Sequence, residues 1–207
     1  MLSFGNITAH GQVYLYPEKP PASLWWVDPK GHTNYWCSVQ GESSGSSSSP
    51  RTESRETLPD SAESYNWVAG EAVHIMKGTV RVELAPSSGK VIIGQIHAWK
   101  GPNPFVMVTW WNGVARVDVR NRPTDNAMRA LSVPCKLGES FSYSLTMGFD
   151  GVLQITLNGL QYALNVSNDW AQYPFYFKAG AYVIDKDGPV SEGGWVVYED
   201  FEVSHDV

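Results

Sequence analysis

Apolar and polar residues alternate with a period of two along much of the chain. The alternation is clearest at positions 79–84, 115–120 and 140–145, which read TVRVEL, ARVDVR and SFSYSL. Such a period places successive side chains on opposite faces of a strand, so that one face is buried and the other is solvated. No segment shows the longer period of an amphipathic helix. The pattern therefore predicts a chain built from β-strands.

The segments between the predicted strands carry residues that favour tight turns. Asn112-Gly113, Asp150-Gly151 and Asn158-Gly159 tolerate the positive φ angles of two-residue hairpins. Short strands joined by such turns predict an all-β fold, an antiparallel β-sandwich or jelly roll. We find no internal repeat and predict that residues 1–207 form a single domain. Residues 41–50, GESSGSSSSP, are expected to form a solvated loop, or a lid if a site lies beside them.

The charge balance of the chain limits the partners that it can have. The 207 residues have a net charge of -6, whereas nucleic-acid-binding proteins are usually basic, so we expect no nucleic-acid partner. A polyanionic ligand would need a local cluster of Arg and Lys set against this balance. The nine Trp and ten Tyr either fill the core or stack on sugar rings, and composition does not choose between the two.

Other sequence signals concern the membrane, the cysteines and metals. No stretch is long and apolar enough to cross a membrane, and Pro17 and Pro20 interrupt the segment where a signal peptide would lie. Cys37 and Cys135 could form a disulfide or remain two buried thiols. The histidines are scattered and match no ligand motif, so we expect no metal and no cofactor.

Three segments carry polar side chains on one face of a predicted strand and apolar or small side chains on the other. The polar residues are Arg51, Glu53 and Arg55 in the first segment, Gln95, His97 and Trp99 in the second, and Tyr176, Lys178 and Tyr182 in the third. Each set alone could be an ordinary structural or solvated face. If the three faces line one sheet, however, they form the local cationic cluster that a polyanion would require.

The three segments read RTESR at 51–55, QIH at 95–97 and YFKAGAY at 176–182. They resemble, in this order and at similar spacing, the motifs R-[ST]-E-x-R, Q-[IV]-H and Y-F-K-A-G-x-Y of polysaccharide lyase family 7, the alginate lyases. The segment SSGK at 87–90 is also similar to the family. The resemblance covers about residues 35–203. One short motif would be a weak signal, but three in order strongly indicate this family.

The resemblance implies a fold and a set of site residues. The fold would be a jelly roll of the concanavalin A-like kind, with a substrate groove on its concave sheet. The catalytic residues would be Arg51, Gln95, His97 and Tyr182. The expected substrate-binding residues are Glu53, Arg55 and Lys178, with Arg116, Arg120 and Trp99 as further candidates. Arg116 and Arg120 could equally belong to a solvated face shared with Asp118.

The implied reaction is β-elimination in alginate, which removes the C5 proton of a uronate and expels the oxygen at C4. Arg51 and Gln95 would stabilise the charge that builds up on the substrate carboxylate. Tyr182 would be the acid and, in syn eliminations, also the base, whereas His97 would be the base when the proton lies on the opposite face. We expect an acidic polysaccharide as the partner, and a monomer that is secreted or periplasmic.

Two positions depart from the family pattern. Ser54 stands where the family usually has an aliphatic residue, and it should face the core, which affects packing more than chemistry. Ile184 stands where many members have Gln, on the same face as Tyr182, so that a substrate contact is expected to be lost. In the family, Ile at the position of Ile96 accompanies action on guluronate-containing regions, which modestly favours guluronate or mixed blocks.

Three other functions remain open at this point. A glycoside hydrolase would need two carboxylates beside the scissile bond, and Glu53 is the only acid on the three polar faces. A non-catalytic carbohydrate-binding module would suit the many aromatic residues. A lyase could also act on another polyuronate, such as polyglucuronate, because the motifs bind a carboxylate and a leaving oxygen.

Overall fold

A computed structural model of the protein describes residues 3–43 and 48–206. In these residues two antiparallel sheets pack face to face as a β-sandwich. The eight-stranded sheet contains, in spatial order, β10 (Met128–Pro134), β9 (Val114–Val119), β8 (Pro104–Trp111), β7 (Lys90–Ala98), β14 (Phe175–Val183), β5 (Arg51–Thr57), β1 (Ser3–Ala9) and β2 (Gln12–Tyr14). The seven-stranded sheet contains β13 (Leu160–Asn165), β12 (Val152–Leu157), β11 (Ser140–Met147), β6 (Val73–Leu84), β15 (Gly193–Asp206), β4 (Thr33–Ser38) and β3 (Trp25–Val27).

The all-β jelly-roll prediction is confirmed. Apart from strands, the described residues contain one short 3-10 helix, Asn168–Trp170. The alternating segments behave as predicted: Val80, Val117 and Leu145 are fully buried between the sheets, because every second side chain of a strand points to the same face. No helix in the described part of the chain is long and apolar enough to cross a membrane.

The predicted turns connect neighbouring strands. Asn112 and Asn158 have φ angles of 49° and 45°, and each precedes a glycine that also has a positive φ, as expected of tight hairpins. Between β11 and β12 the glycine of Asp150-Gly151 alone has a positive φ. His10-Gly11 forms a further turn of this kind between β1 and β2, which the sequence analysis did not identify.

A β-bulge interrupts β7 at Ile93 and Gly94. Ile92 pairs with Thr109 of β8 and Gly94 pairs with Val108, so that two steps along β7 match one step along β8. The carbonyl of Ile93 accepts a hydrogen bond from the hydroxyl of Tyr198 on the opposite sheet, 2.8 Å away. The extra residue turns Ile92 to the outer face of the sheet, whereas Ile93 stays in the core.

Ser54 faces the core, as its position in β5 predicts, and it is fully buried. Its hydroxyl lies 2.8 Å from the hydroxyl of Tyr35 on β4, which is buried as well. The two polar groups therefore satisfy each other, which explains how Ser replaces an aliphatic residue here. Cys37 and Cys135 are free, buried thiols and do not form a disulfide, and burial raises the pKa of Cys135 to about 11.

A buried carboxylate, Glu56, connects β5 to β14 on the core side of the sheet. It accepts hydrogen bonds from the backbone N–H of Phe177, at 2.9 Å, and from the indole of Trp67, at 3.2 Å. Its other oxygen contacts Nε2 of His205, and His205 in turn contacts His74. Because Phe177 lies between Tyr176 and Lys178, Glu56 fixes the part of β14 that presents these two residues to the outer face.

We predict that Glu56→Ala lowers the free energy of unfolding by about 3 kcal/mol, because it leaves buried N–H donors without an acceptor. Urea unfolding followed by circular dichroism measures this loss. The matched control is Glu202→Ala, since Glu202 forms a half-exposed ion pair with Lys77 at 2.9 Å, and such pairs contribute about 1 kcal/mol or less. Equal effects of the two substitutions would contradict the role assigned to Glu56.

Candidate active site

Glu53 is the centre of the polar cluster on the outer face of the eight-stranded sheet. Its side chain is completely buried, and three neighbours donate to its carboxylate. Nη1 of Arg51 lies 3.2 Å away, and Nε2 of Gln95 and Nζ of Lys178 form short hydrogen bonds. Burial opposes ionisation of Glu53, but the charges of Lys178 and Arg51 outweigh it and hold the pKa of Glu53 below its ordinary value. Glu53 is therefore a buried anion that orients residues from three strands.

Gly180 allows β14 to approach β5 at this point. It pairs with Glu53 and has a φ of 152°. A Cβ atom at position 180 would lie 2.3 Å from the backbone oxygen of Thr52 and 2.7 Å from the Cα of Glu53. Both atoms belong to the backbone and cannot move aside as a side chain could. The glycine of the YFKAGAY segment is thus required for the spacing that brings Lys178 onto Glu53.

His97 lies on β7, two residues after Gln95. Its Nδ1 is 3.1 Å from the backbone oxygen of Ala98, an arrangement in which Nδ1 carries the proton and Nε2 keeps the lone pair. Burial and the nearby charge of Lys178 lower the pKa of His97 to about 4. His97 is therefore neutral at neutral pH and has a lone pair that can accept a proton. Its ring stacks on Tyr176, with 5.3 Å between the ring centroids.

Arg51 connects the buried carboxylate to Tyr182. Its guanidinium carbon lies 4.0 Å from the centroid of the Tyr182 ring, while Nη1 donates to Glu53. Nε of Arg51 is buried and has no hydrogen-bond partner among the residues that the structure describes. The side chain of Arg51 is 12% exposed, so that part of it remains accessible to an anionic ligand.

The outer face forms a cavity of about 530 Å³ above this cluster. Its lining consists of Ser48, Arg51, Ile92, Gln95, His97, Pro102, Asn103, Pro104, Met107, Arg120, Tyr176, Lys178, Tyr182 and Ile184. Three of these residues are cations, and none of the described residues in the lining is Asp or Glu. An acidic protein therefore presents a cationic cavity, as a polyanionic ligand requires.

The structure brings together the four predicted catalytic residues, Arg51, Gln95, His97 and Tyr182, which all line the cavity. Of the predicted substrate-binding residues, Lys178 and Arg120 also line it. Glu53 lies beneath the cavity and contacts three of the residues above it. Ile184 shares the cavity with Tyr182, as its position two residues further along the chain predicts.

Besides Glu53, three predicted substrate-binding residues lie outside the cavity lining. Arg55 donates to the backbone oxygens of Glu56 and Tyr65, at 2.8 and 3.2 Å, and to the side chain of Asn66, at 2.7 Å. Its guanidinium also lies 3.9 Å from the centroid of the Tyr176 ring. Arg55 is thus placed to support Tyr176.

The other two residues outside the lining are Trp99 and Arg116. Trp99 is exposed and packs edge-on against Tyr176, with 6.3 Å between the centroids. Arg116 lies on β9, where Nε is 2.8 Å from the carboxylate of Asp118. Neither residue lines the cavity.

Several lining residues were not predicted from the sequence, above all Ile92, Met107 and Asn103. Ile92 has the parity of the core residue Ile96, and it reaches the cavity only because of the bulge at Ile93. Met107 alternates with core residues of β8, a pattern that could have identified it. Residues 44–47 of the possible lid lie outside the described residues. Within the described ranges, no group of three or more His, Cys, Asp or Glu could hold a metal ion.

We predict that His97 titrates at about pH 4 and that Lys178→Met raises its pKa, because the substitution removes a nearby positive charge. The NMR chemical shifts of the His97 ring protons, followed from pH 3 to pH 8, measure both values. Lys77→Met on the opposite sheet is the control and should leave the titration unchanged. A His97 pKa near 6.5 in the wild type would contradict the burial described above.

The chain was compared with known proteins. The family model described as Alginate lyase matches residues 17–205. An alginate lyase structure from Pseudomonas aeruginosa superposes with a TM-score of 0.88 at 29% identity, over 99% of this chain and 100% of that one. The alginate lyase A1-II′, a member of polysaccharide lyase family 7, gives a TM-score of 0.84 at 24% identity, over 98% of this chain and 96% of that one, and supports the fold.

A variant of A1-II′ with a His-to-Asn and a Tyr-to-Phe substitution, in complex with the substrate GGMG, gives a TM-score of 0.79 at 27% identity. The match covers 91% of this chain and 84% of that one. A search of curated protein sequences gave no match. The match to the family model nevertheless covers most of the chain, and the fold agrees with it over nearly the full length. The chain therefore belongs to the alginate lyase family, polysaccharide lyase family 7, and is a polysaccharide lyase.

Proposed function

We propose that the protein cleaves the 1,4-glycosidic bonds of alginate by β-elimination and leaves 4,5-unsaturated uronate ends. The observation that carries this proposal is the lining of the cavity, where three cations meet a neutral His97 and Tyr182 without a carboxylate among the described lining residues. A hydrolase would need two carboxylates there. A binding module would not need the arrangement of His97, Tyr182 and Gln95.

The difficult part of the reaction is the loss of the C5 proton, because the neighbouring carboxylate acquires further negative charge. Arg51 and Gln95 each donate one hydrogen bond to Glu53 and retain other N–H groups for the substrate carboxylate. Glu53 fixes both donors before the substrate binds, so little reorganisation is needed as the charge develops. One such donor typically contributes about 3 kcal/mol to transition-state stabilisation.

The proton transfers are assigned to Tyr182 and His97. Tyr182 protonates the leaving oxygen and, in syn eliminations, also takes the C5 proton, helped by the guanidinium of Arg51 beside its ring. His97 takes the proton when it lies on the opposite face of the sugar, through its unprotonated Nε2. Lys178 and Arg120 bind the carboxylates of the same or neighbouring units. The relative crystallised with substrate carries a replaced His and a replaced Tyr, the two residue types assigned here.

The substrate preference is proposed to be guluronate-containing or mixed blocks, on the family correlation with Ile96. Ile96 is fully buried in the core, so any effect on preference must act through packing of β7. Ile184 in the cavity adds an apolar contact where many relatives have an amide. The alternative substrate within the same chemistry is another polyuronate, such as polyglucuronate.

The test is to incubate the protein with alginate, polymannuronate, polyguluronate and polyglucuronate and to follow the ultraviolet absorbance of the new C4–C5 double bond. We expect the absorbance to rise fastest with alginate or polyguluronate. Tyr182→Phe and His97→Ala should each lower the rate by about 10²–10⁴-fold.

The matched controls are Tyr162→Phe in β13 of the other sheet and His32→Ala in the loop between β3 and β4, which change the same residue types. They should retain wild-type rates, and all four variants should show wild-type circular dichroism. Absence of any absorbance rise with folded protein, or full turnover by Tyr182→Phe, would overturn the proposal.

We also propose that the protein acts as a monomer in a secreted or periplasmic location. One chain supplies every described residue of the cavity, and a polymeric substrate is met outside the cytoplasm. Light scattering at the assay concentration should give the mass of one chain. A measured mass equal to two chains would contradict the proposal of a monomer.

A further inference from the structure

An exposed tryptophan lies on the cationic face beyond the cavity. Trp111 ends β8, and 38% of its surface is accessible. Its cross-strand partner on β7 is Lys90, whose Nζ lies 5.2 Å from a Trp111 ring centroid. Arg116 on β9 approaches the same side chain, with Cζ 4.5 Å from a ring centroid. We call these three residues the Trp111 platform.

The platform lies on the same sheet as the catalytic cavity. Along one row across the sheet, Tyr182 pairs with Ile92, Ile92 with Thr109 and Thr109 with Arg116. Three strand spacings separate Tyr182 from Arg116, or about 14 Å. Lys90 is also bound to the cavity wall through its backbone, because its oxygen accepts a hydrogen bond from the N–H of Ile184 at 3.2 Å.

The cations of the platform are only partly neutralised. Asp118 lies 2.8 Å from Nε of Arg116, but Nε has no partner with hydrogen-bond geometry among the described residues. Lys90 forms no ion pair with any residue that the structure describes. Burial and the charge of Arg116 lower the pKa of Lys90, and Asp118 offsets this shift only in part. Lys90 and Arg116 thus lie beside the same indole, and of the two only Arg116 has a carboxylate within ion-pair distance among the described residues.

A uronate unit has the chemistry that this arrangement lacks. Its carboxylate would lie between the two cations and relieve their repulsion. The apolar face of its ring would pack against the exposed part of Trp111, which shields the ion contacts from water. A neutral sugar would contact only the indole of Trp111, and a small anion would contact only Lys90 and Arg116.

We propose that Lys90, Trp111 and Arg116 form a distal binding site for a uronate unit of the substrate chain, separate from the catalytic cavity. The proposal rests on the proposed function, because the same chain must extend from the cavity to the platform. A chain held at both places is bound more tightly than one held at either place alone. The platform therefore favours long chains over short fragments.

The experiment uses the Tyr182→Phe protein, because slow cleavage leaves the ligand intact during the measurement. Calorimetry measures the binding of a guluronate hexasaccharide to this protein. Adding Lys90→Met or Trp111→Ala should raise the dissociation constant by about tenfold. The effect of Lys90→Met should shrink as salt is added, because salt screens the contact between Lys90 and the uronate carboxylate. The effect of Trp111→Ala should persist.

The controls are Lys77→Met and Phe149→Ala, a cation and an exposed aromatic residue outside the eight-stranded sheet. They should change the dissociation constant by less than about twofold. Failure of Tyr182→Phe itself to bind the hexasaccharide would count against the proposed function. Binding by Tyr182→Phe that neither Lys90→Met nor Trp111→Ala weakens would overturn the distal site and leave the proposed function intact.

Discussion

A carboxylate removed from water must be surrounded by donors, and Glu53 imposes this requirement on three strands at once. Arg51 of β5, Gln95 of β7 and Lys178 of β14 all turn toward it, although each has a long side chain that could point elsewhere. Their positions are therefore set before any substrate arrives. The loss of side-chain freedom is incurred during folding, which leaves less to be ordered when the substrate binds.

The same arrangement would allow an acidic protein to bind the acidic polymer proposed as its substrate. The net charge of -6 is distributed over the molecule, whereas the charges that matter to the ligand lie on one face. Glu53 neutralises part of this positive charge, but it does so from below, where the ligand does not meet it. The field above the sheet remains attractive to a carboxylate, because two cations, Arg51 and Lys178, surround a single buried anion.

The alternation of residues was sufficient to predict the strands, the sandwich and the shared face of most site residues. It failed where the backbone leaves the regular pleat. The parity of Ile96 would place Ile92 in the core, but the bulge at Ile93 turns it outward. The carbonyl of Ile93 is hydrogen-bonded by Tyr198, more than one hundred residues away. A long-range contact of this kind leaves no local signal.

The family motif implied a catalytic role for Arg51 and a substrate-binding role for Arg55, but it did not predict the contacts that hold each side chain. Arg51 and Arg55 are the first and last residues of the RTESR segment and share a face. Arg51 nevertheless lines the cavity, whereas Arg55 donates to protein oxygens beside Tyr176. The difference depends on Tyr65 and Asn66, which lie in a loop that carries no recognisable pattern. Spacing within a strand predicts the direction of a side chain, but not which partners other segments bring to it.

Ser54 and Tyr35 show how the core constrains change in this lineage. Each hydroxyl is buried and each is paired with the other, at 2.8 Å. Replacing either residue alone with an apolar one removes the partner that the other hydroxyl has here, at a cost of about 1–3 kcal/mol. Replacing both together avoids that penalty. The two positions should therefore vary as a pair among close relatives, and a relative with an aliphatic residue at position 54 should carry Phe at position 35.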